Sequence, residues 1–483
     1  MQKDIKLQAT KATLWSGVAE IASKLITPII SMVLARLLTP EAYGIVATIS
    51  IIVSFAQIFT DAGFQRYLVQ HEFKSDDDLE KSTTVAFWSN FSLSLLIWGV
   101  IALFNNSLAE IVGSPGLGHV LIIACISIPL AAFSSIQSAL YRRNLDFKTL
   151  FRVRIVGIFV PLLITLPLAI VFKNFWALVI STIIENIVNA VLLTYFSKWK
   201  PRLYFSTEKL KEMLSFSVWS MFEAITIWLA AYLDMFILGN SLSIYYLGIY
   251  RTSINLVTQI MGLVISATTP VLFSALSRLQ NNEIEFQHFF FRFQKIVGLL
   301  MIPLGVGLYV NSDLVTSIML GDQWTEASGV IGLWGLVNSV MIVLSHYSSE
   351  IYRAKGRPKL SVLSQILHLV VMCPVVIVAV KYGFEVLYTA RTLIRFEGLL
   401  VNLLLMHFVI KMSVGKMLTN VLPAYFAAFC MCIVLLLPSP ASLFVQIIYA
   451  LISVIIYFFV VMLFHEERDT ILNIPKIIKN SRQ

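Results

Sequence analysis

Long apolar runs alternate with short polar breaks along the whole chain, and the runs have the length of a bilayer. Crossing roughly 30 Å of hydrocarbon as helix takes about 20 residues. Runs of that kind lie near 14–35, 43–65, 83–104, 119–140, 154–172 and 175–197. A second set lies near 214–238, 247–277, 294–311, 327–351, 360–380 and 384–410, and a last pair near 419–437 and 443–464. The pattern predicts an all-α polytopic membrane protein with 14 transmembrane helices. It groups them as an N-terminal lobe over 1–200 (helices one to six), a C-terminal lobe over 201–411 (seven to twelve), and helices thirteen and fourteen with a tail over 412–483.

The breaks differ in charge, which orients the helices. Placing the N-terminus inside collects Lys3, Lys6, Lys11, Arg66, Lys74, Lys81, Arg142, Arg143, Lys148, Lys198, Lys200, Arg202 and later groups on the cytoplasmic side. Only Arg36, Lys173 and Lys381 fall in or beside outer loops. The positive-inside rule then puts both termini in the cytoplasm. Composition agrees: 58% of residues are hydrophobic and 13% charged, against roughly 25% charged in soluble domains. The net charge of +9 is therefore a topological signal, and no nucleic-acid partner is expected because no soluble basic domain exists to bind one. The first run contains Glu20 and Lys24 and lacks a small-residue cleavage site, so it is expected to remain as a helix. Cys125, Cys373, Cys430 and Cys432 all lie inside predicted spans and suggest neither a disulfide framework nor a metal site.

An internal repeat is visible. Sliding the chain on itself by 204 residues superimposes Trp15-Ser16 on Trp219-Ser220 and Gly44-Ile45 on Gly248-Ile249. Leu140-Tyr141-Arg142 similarly resembles Ile351-Tyr352-Arg353. A repeat of six spans, an even number, must run in parallel, with a pseudo-two-fold axis along the membrane normal, as in rocking two-lobed transporters. The transport path is then expected at the lobe interface.

A charge at mid-membrane costs roughly 2.5 to 3.5 kcal/mol on insertion scales, so each one needs a polar cavity or a partner. Glu223, Thr226, Ala230 and Asp234 fall along one stripe of the seventh span, and Arg251, Asn255, Thr258 and Gly262 along one of the eighth. The short loop between these spans brings Asp234 and Arg251 to one depth, where pairing is expected. Glu20 and Lys24 are spaced either as a self-neutralising helical pair or as substrate contacts. Arg391 and Arg395 carry like charge on one face of the twelfth span, so their partner must come from another helix or from the substrate. Asp61 with Gln57, Glu185 with Asn189, and Glu350 with His346 are carboxylates placed for interhelical bonds or for a coupling H+ or Na+.

Catalytic machinery is missing from the sequence. There is no GxxxxGK[ST] phosphate loop, no metal motif and no long outer loop bearing His, Asp or Glu. The expectation is a transporter and not an enzyme, with no cofactor.

Several segments together carry a family resemblance: Ala35-Arg36-Leu37-Leu38-Thr39-Pro40-Glu41-Ala42-Tyr43-Gly44, Phe59-Thr60-Asp61-Ala62-Gly63-Phe64 and Tyr141-Arg142-Arg143-Asn144-Leu145-Asp146-Phe147-Lys148. Leu247-Gly248-Ile249-Tyr250 and Gly321-Asp322-Gln323-Trp324 continue it. The chain resembles the Wzx-like polysaccharide transporters of the multidrug/oligosaccharidyl-lipid/polysaccharide exporter superfamily, in the colanic-acid and teichuronic-acid exporter branch. That resemblance implies a flippase carrying polyprenyl-pyrophosphate-linked oligosaccharide to the outer leaflet by alternating access, with membrane lipid and a polysaccharide polymerase or co-polymerase as partners. Lys24, Arg251, Asn255, Arg391 and Arg395 are then the expected substrate contacts. Glu20, Asp61, Glu185, Glu223, Asp234 and Glu350 are the candidates for ion coupling or gating. A cation-coupled drug or metabolite antiporter of the same fold is the nearest alternative, and an integral-membrane glycan polymerase or ligase the next.

Overall fold

In hydrocarbon a backbone must satisfy its own N–H and C=O groups, which leaves helices and closed barrels. The computed structural model of the chain, which describes residues 23–24, 26–60, 63–433 and 442–469, forms helices throughout its regular elements. It divides into two compact units, Met1–Arg251 and Thr252–Gln483.

The first unit contains α1 (Ile26–Leu37), α2 (Pro40–Thr60), α3 (Phe64–Gln70), α4 (Asp76–Leu103), α5 (Asn105–Ile111), α6 (Gly118–Ala124) and α7 (Ser127–Arg143). It continues with α8 (Phe147–Val160), α9 (Leu166–Phe172), α10 (Trp176–Phe196), α11 (Thr207–Ser241) and the first residues of α12 (Ile244–Arg278). The second unit holds the rest of α12, then α13 (Glu283–Val310), α14 (Ser312–Met319), α15 (Ala327–Met341), α16 (Ser348–Ala354) and α17 (Lys359–Ala379). It ends with α18 (Phe384–Leu393), α19 (Arg395–Phe408), α20 (Val414–Thr419), α21 (Leu422–Met431) and α22 (Leu443–Leu463).

Among the described residues, 12 helical stretches are long and apolar enough to cross a membrane. The other two expected spans are accounted for by α1 and by α18 with α19, so the arrangement is consistent with fourteen. Expected span two, 43–65, is helical only to Thr60 in the described residues, and Gly63, at φ +83°, opens the separate helix α3.

Three helices that begin at the basic-loop end, α4, α8 and α13, carry polar caps. Ser75 accepts from the Asp78 amide at 3.1 Å, Asp146 from the Thr149 amide at 3.1 Å, and Asn282 from the Glu285 amide at 3.3 Å. Each satisfies an amide that the first helical turn leaves without a partner. Ion pairs then tie the loops of each unit down. Arg202 meets Glu80 at 2.6 Å and Lys209 meets Asp78 in the first unit; Lys355 meets Glu283 at 2.6 Å in the second. The Lys295 ammonium, 2.6 Å from Glu466, holds that carboxyl below the usual carboxylate range and pins the chain after α22.

In the first unit α7 packs between α4 and α10, burying Phe64, Leu68, Phe87, Ile136 and Ala139 in one cluster. In the second, α13 lies tightly on α15, where Gly305 faces Ser339 and Gly335 faces Leu308. Small residues bring helices close where lipid offers no hydrophobic drive to associate. Helix α22 is apolar all round, yet only 17% of its most apolar stretch is buried against the chain. Its outer face therefore suits lipid.

One close approach is reciprocal. A Cβ on Gly44 would meet the carbonyl of Ile244, and a Cβ on Gly248 would meet the carbonyl of Pro40. Gly44 and Gly248 are 204 residues apart in sequence, as are Pro40 and Ile244, the offset of the repeat. Residue i touching j′ while i′ touches j is the signature of a two-fold relation, here local to the starts of α2 and α12.

Candidate functional site

Ser50, Ser54 and Gln57 are spaced by four and three along α2, so they share one face of a mostly apolar helix. That face lines two cavities of the first unit. The first, about 240 Å³, is bounded by Ser50, Ser54, Gln57, Ser127, Tyr232 and Arg251. Here the Arg251 guanidinium lies 5.3 Å from the centre of the Tyr232 ring, and its Nη1 is 3.6 Å from the Met235 sulfur. Tyr232 stacks on Trp228 at 5.7 Å, Trp228 leans on Phe55 at 4.8 Å, and the Trp228 indole N–H donates to Ser54 at 3.0 Å. A cation, an aromatic ladder and hydroxyls thus converge on one hollow.

The second cavity, about 530 Å³, shares Ser54 and Gln57 with the first and adds Gln65, Arg66, Gln70 and Arg142. Arg142 donates to Gln65 at 3.3 Å. Its neighbour Arg143 has a different task, donating to the carbonyls of Leu68 and His71 at 2.7 and 2.8 Å and closing the C-terminus of α3. Arg142 also lines a third cavity of about 720 Å³, which holds Ser31, Arg154, Glu185 and Asn189. Three hollows in the first unit therefore share lining residues.

The expected pairing of Asp234 with Arg251 is replaced by other bonds. The Asp234 carboxylate accepts from the Tyr250 hydroxyl at 2.8 Å and from the Met235 amide at 2.8 Å, while Arg251 turns to Tyr232 and Met235. Tyr250 sits one residue before Arg251 on α12, so the two side chains leave the helix about 100° apart, and only the tyrosine reaches the acid. Tyr250→Phe should consequently leave Asp234, which is 2% exposed, short of a donor and lower the thermal midpoint by several degrees, about 1–3 kcal/mol. An unchanged melting curve would remove this bond from the fold's support.

In the second unit, Arg391 and Arg395 both approach Trp334 of α15, with guanidinium carbons 5.6 and 4.5 Å from the ring centre. Arg395 donates to Asn338 at 2.7 Å. Glu397 is engaged by His368 at 2.9 Å. An aromatic face on another helix, attractive to both cations, is thus one of the partners that their like charge called for. Arg391 is 7% exposed, whereas Arg395 is half-buried.

Of the other expected residues, Lys24 and Asn255 are half-buried on helices. Glu185 lines the cavity of about 720 Å³ beside Asn189. Glu350 is buried and bonded to Arg353. Glu20 and Asp61 lie outside the described residues, as does the side chain of Glu223.

The family described as "Polysaccharide biosynthesis protein" matches residues 33–329. The chain belongs to that family. It is 24% identical over 317 residues to the succinoglycan biosynthesis transport protein ExoT of Rhizobium meliloti, covering 65% of this chain and 63% of that one. It is 21% identical over 396 residues to the lipopolysaccharide biosynthesis protein WzxC of Escherichia coli, covering 79% of each. Among solved structures, the lipid II flippase MurJ in an inward closed conformation superposes with a TM-score of 0.77 at 16% identity, covering 95% of this chain and all of that one. At that identity the likeness shows that the two chains share a fold.

Sequence reasoning passed over Arg66 and Arg142 as cavity residues because they sit among loop charges that serve topology. The Ser50, Ser54 and Gln57 spacing was the available signal for these cavities.

Proposed function

We propose that the protein is a flippase that carries a polyprenyl-pyrophosphate-linked oligosaccharide from the inner to the outer leaflet of a bacterial cytoplasmic membrane, with both termini in the cytoplasm. A sugar headgroup and pyrophosphate cannot enter hydrocarbon unaided, whereas the prenyl chain can stay in lipid. Polar, guanidinium-lined hollows beside an apolar exterior carry this reading. Succinoglycan transport by ExoT and lipid II flipping by MurJ, as those proteins are described, support it. Arg251 and Lys24 are the anion contacts proposed in the first unit, and Asn255 and Arg395 those proposed in the second. Arg391 fixes Trp334. Glu185, facing a cavity of about 720 Å³, is the group best placed to carry a coupling H+ or Na+. The cycle opens the path to one side of the membrane and then to the other, and delivers substrate to a polymerase.

An antiporter for cationic drugs would want carboxylates in these hollows, where Arg66, Arg142 and Arg251 stand. The decisive experiment reconstitutes the full chain in vesicles with a fluorescent lipid-linked oligosaccharide and follows its accessibility to an outside quencher. Protein-dependent exposure is expected, and none would end the proposal. In the same assay Arg395→Ala should reduce flipping about tenfold or more with the fold intact. Arg391→Ala should chiefly lower stability, because it removes a buried cation from the Trp334 face. The reverse pattern would exchange their roles.

A further inference from the structure

We infer that Arg66 and Arg142 form a docking site for the diphosphate group, distinct from the contact at Arg251 and set at the basic-loop end of the same polar face of α2. The inference rests on the flippase reading above and names what its first station binds. Both guanidiniums border one cavity of about 530 Å³, together with the amides of Gln57, Gln65 and Gln70. Two forked cations suit a group with several anionic oxygens, since each can give two parallel N–H···O bonds. Primary amides both donate and accept, which suits the hydroxyls of the first sugar.

The surroundings keep this pair at its post. Gln65, Arg66 and Gln70 belong to α3, a seven-residue helix whose C-terminal carbonyls are held by Arg143. Arg142 comes from the last turn of α7, which packs against α3. The turn beyond it is closed by its own backbone, the Asp146 amide donating to the Tyr141 carbonyl at 2.9 Å, and Asp146 caps α8. Adjacent arginines of one sequence motif therefore divide the labour: Arg143 braces α3 while Arg142 faces the hollow.

Continuity gives the site a direction. Ser54 and Gln57 line both this cavity and the one at Arg251. A diphosphate leaving Arg66 and Arg142 meets hydroxyl and amide groups along α2 before it reaches the next guanidinium. It is never stripped of polar partners within the unit, which lowers the barrier that desolvation would otherwise impose.

The same chemistry could be offered by a free diphosphate or by a lipid headgroup, so two probes are needed. Purified full-length protein in detergent is titrated with inorganic pyrophosphate and, separately, with farnesyl pyrophosphate, at low and at high salt. Wild-type protein should bind the prenyl probe more tightly, and Arg66→Gln and Arg142→Gln should each weaken it about tenfold. Arg142→Lys, which keeps charge and loses the fork, should fall between. Gln70→Glu tests the site without removing a structural contact: the added negative charge at an exposed position should also weaken binding, and more so at low salt. Lys148→Gln, an equal charge change outside the cavity, should bind as wild type. Equal loss in Lys148→Gln would reduce the effect to general electrostatics and overturn the site, as would unaltered binding in both arginine variants. Tighter binding of inorganic pyrophosphate than of the prenyl probe would assign the site to a soluble anion and overturn its place in lipid transport.

The vesicle assay separates this inference from its parent. Flipping by wild type with unaltered binding in the variants removes the docking site and leaves the flippase. Arginine-dependent binding without any flipping removes the flippase and leaves a diphosphate site.

Discussion

Gly248→Ala is expected to cripple the fold, and Gly44→Ala to do nearly as much. An added Cβ at Gly248 would lie 2.7 Å from the Pro40 carbonyl carbon and 2.9 Å from the Gly44 amide nitrogen, and one at Gly44 would lie 2.6 Å from Ile244 Cγ2. The obstacles at Gly248 are main chain, which cannot rotate away. Overpacking of well-packed sites costs about 1–3 kcal/mol even where side chains can adjust, so the cost here should reach or exceed the upper end. The reciprocal geometry sharpens the expectation. Either alanine must push the starts of α2 and α12 apart, and once they are apart the second alanine has room. The double variant should therefore cost little more than the worse single variant, since neighbouring sites are non-additive. Thermal unfolding of the detergent-purified single and double variants measures this. Additive losses would mean two independent clashes, and wild-type melting of both single variants would mean that the helices do not approach so closely.

The repeat behind this contact was legible because Gly-Ile stands in both copies at one offset. The spans were legible for a related reason, since hydrocarbon demands length and apolarity of each in turn. Segment 384–410 shows where such reasoning stops. It reads as one apolar span, and the structure interrupts it at Ile394 with neither proline nor glycine at the break. Arg391 and Arg395, flanking that point, are both drawn toward Trp334, some sixty residues earlier in the chain. No local signal reports a pull of that range.

The residues that carry the family resemblance mostly serve shape. Gly321 stands at φ +98° and turns the chain so that Trp324 becomes fully buried. Pro40 and Gly248 make the close approach just described, Asp146 caps α8, and Arg143 closes α3. Polar groups on the cavities, such as Ser54, Gln57 and Tyr232, are scattered singly among apolar neighbours. A sequence motif is easiest to see where the backbone constrains several successive residues. A cavity assembled from one residue per helix turn leaves a fainter trace, which is why Arg251 was found by its cost in the membrane and Arg142 was not.

Arg251 is where that cost should convert into function. Arg251→Gln is expected to lower the flipping rate about 100-fold, because a hydrogen bond from a charged donor contributes roughly 1.5–3 kcal/mol and its ring and thioether neighbours offer an incoming anion no substitute. Stability should fall little, since the arginine is half-buried and the contacts it loses are soft: a tyrosine face at 5.3 Å and a sulfur at 3.6 Å. Arg251→Lys should recover part of the rate but not all, the ammonium keeping charge without the planar fork. Tyr250→Phe, one position earlier, should show the opposite profile, losing stability through Asp234 while retaining more transport. Flipping rates set beside melting midpoints for these three variants decide the matter. If Arg251→Gln flips at the wild-type rate, the guanidinium only balances charge within the first unit, and the proposed anion contact at Arg251 falls.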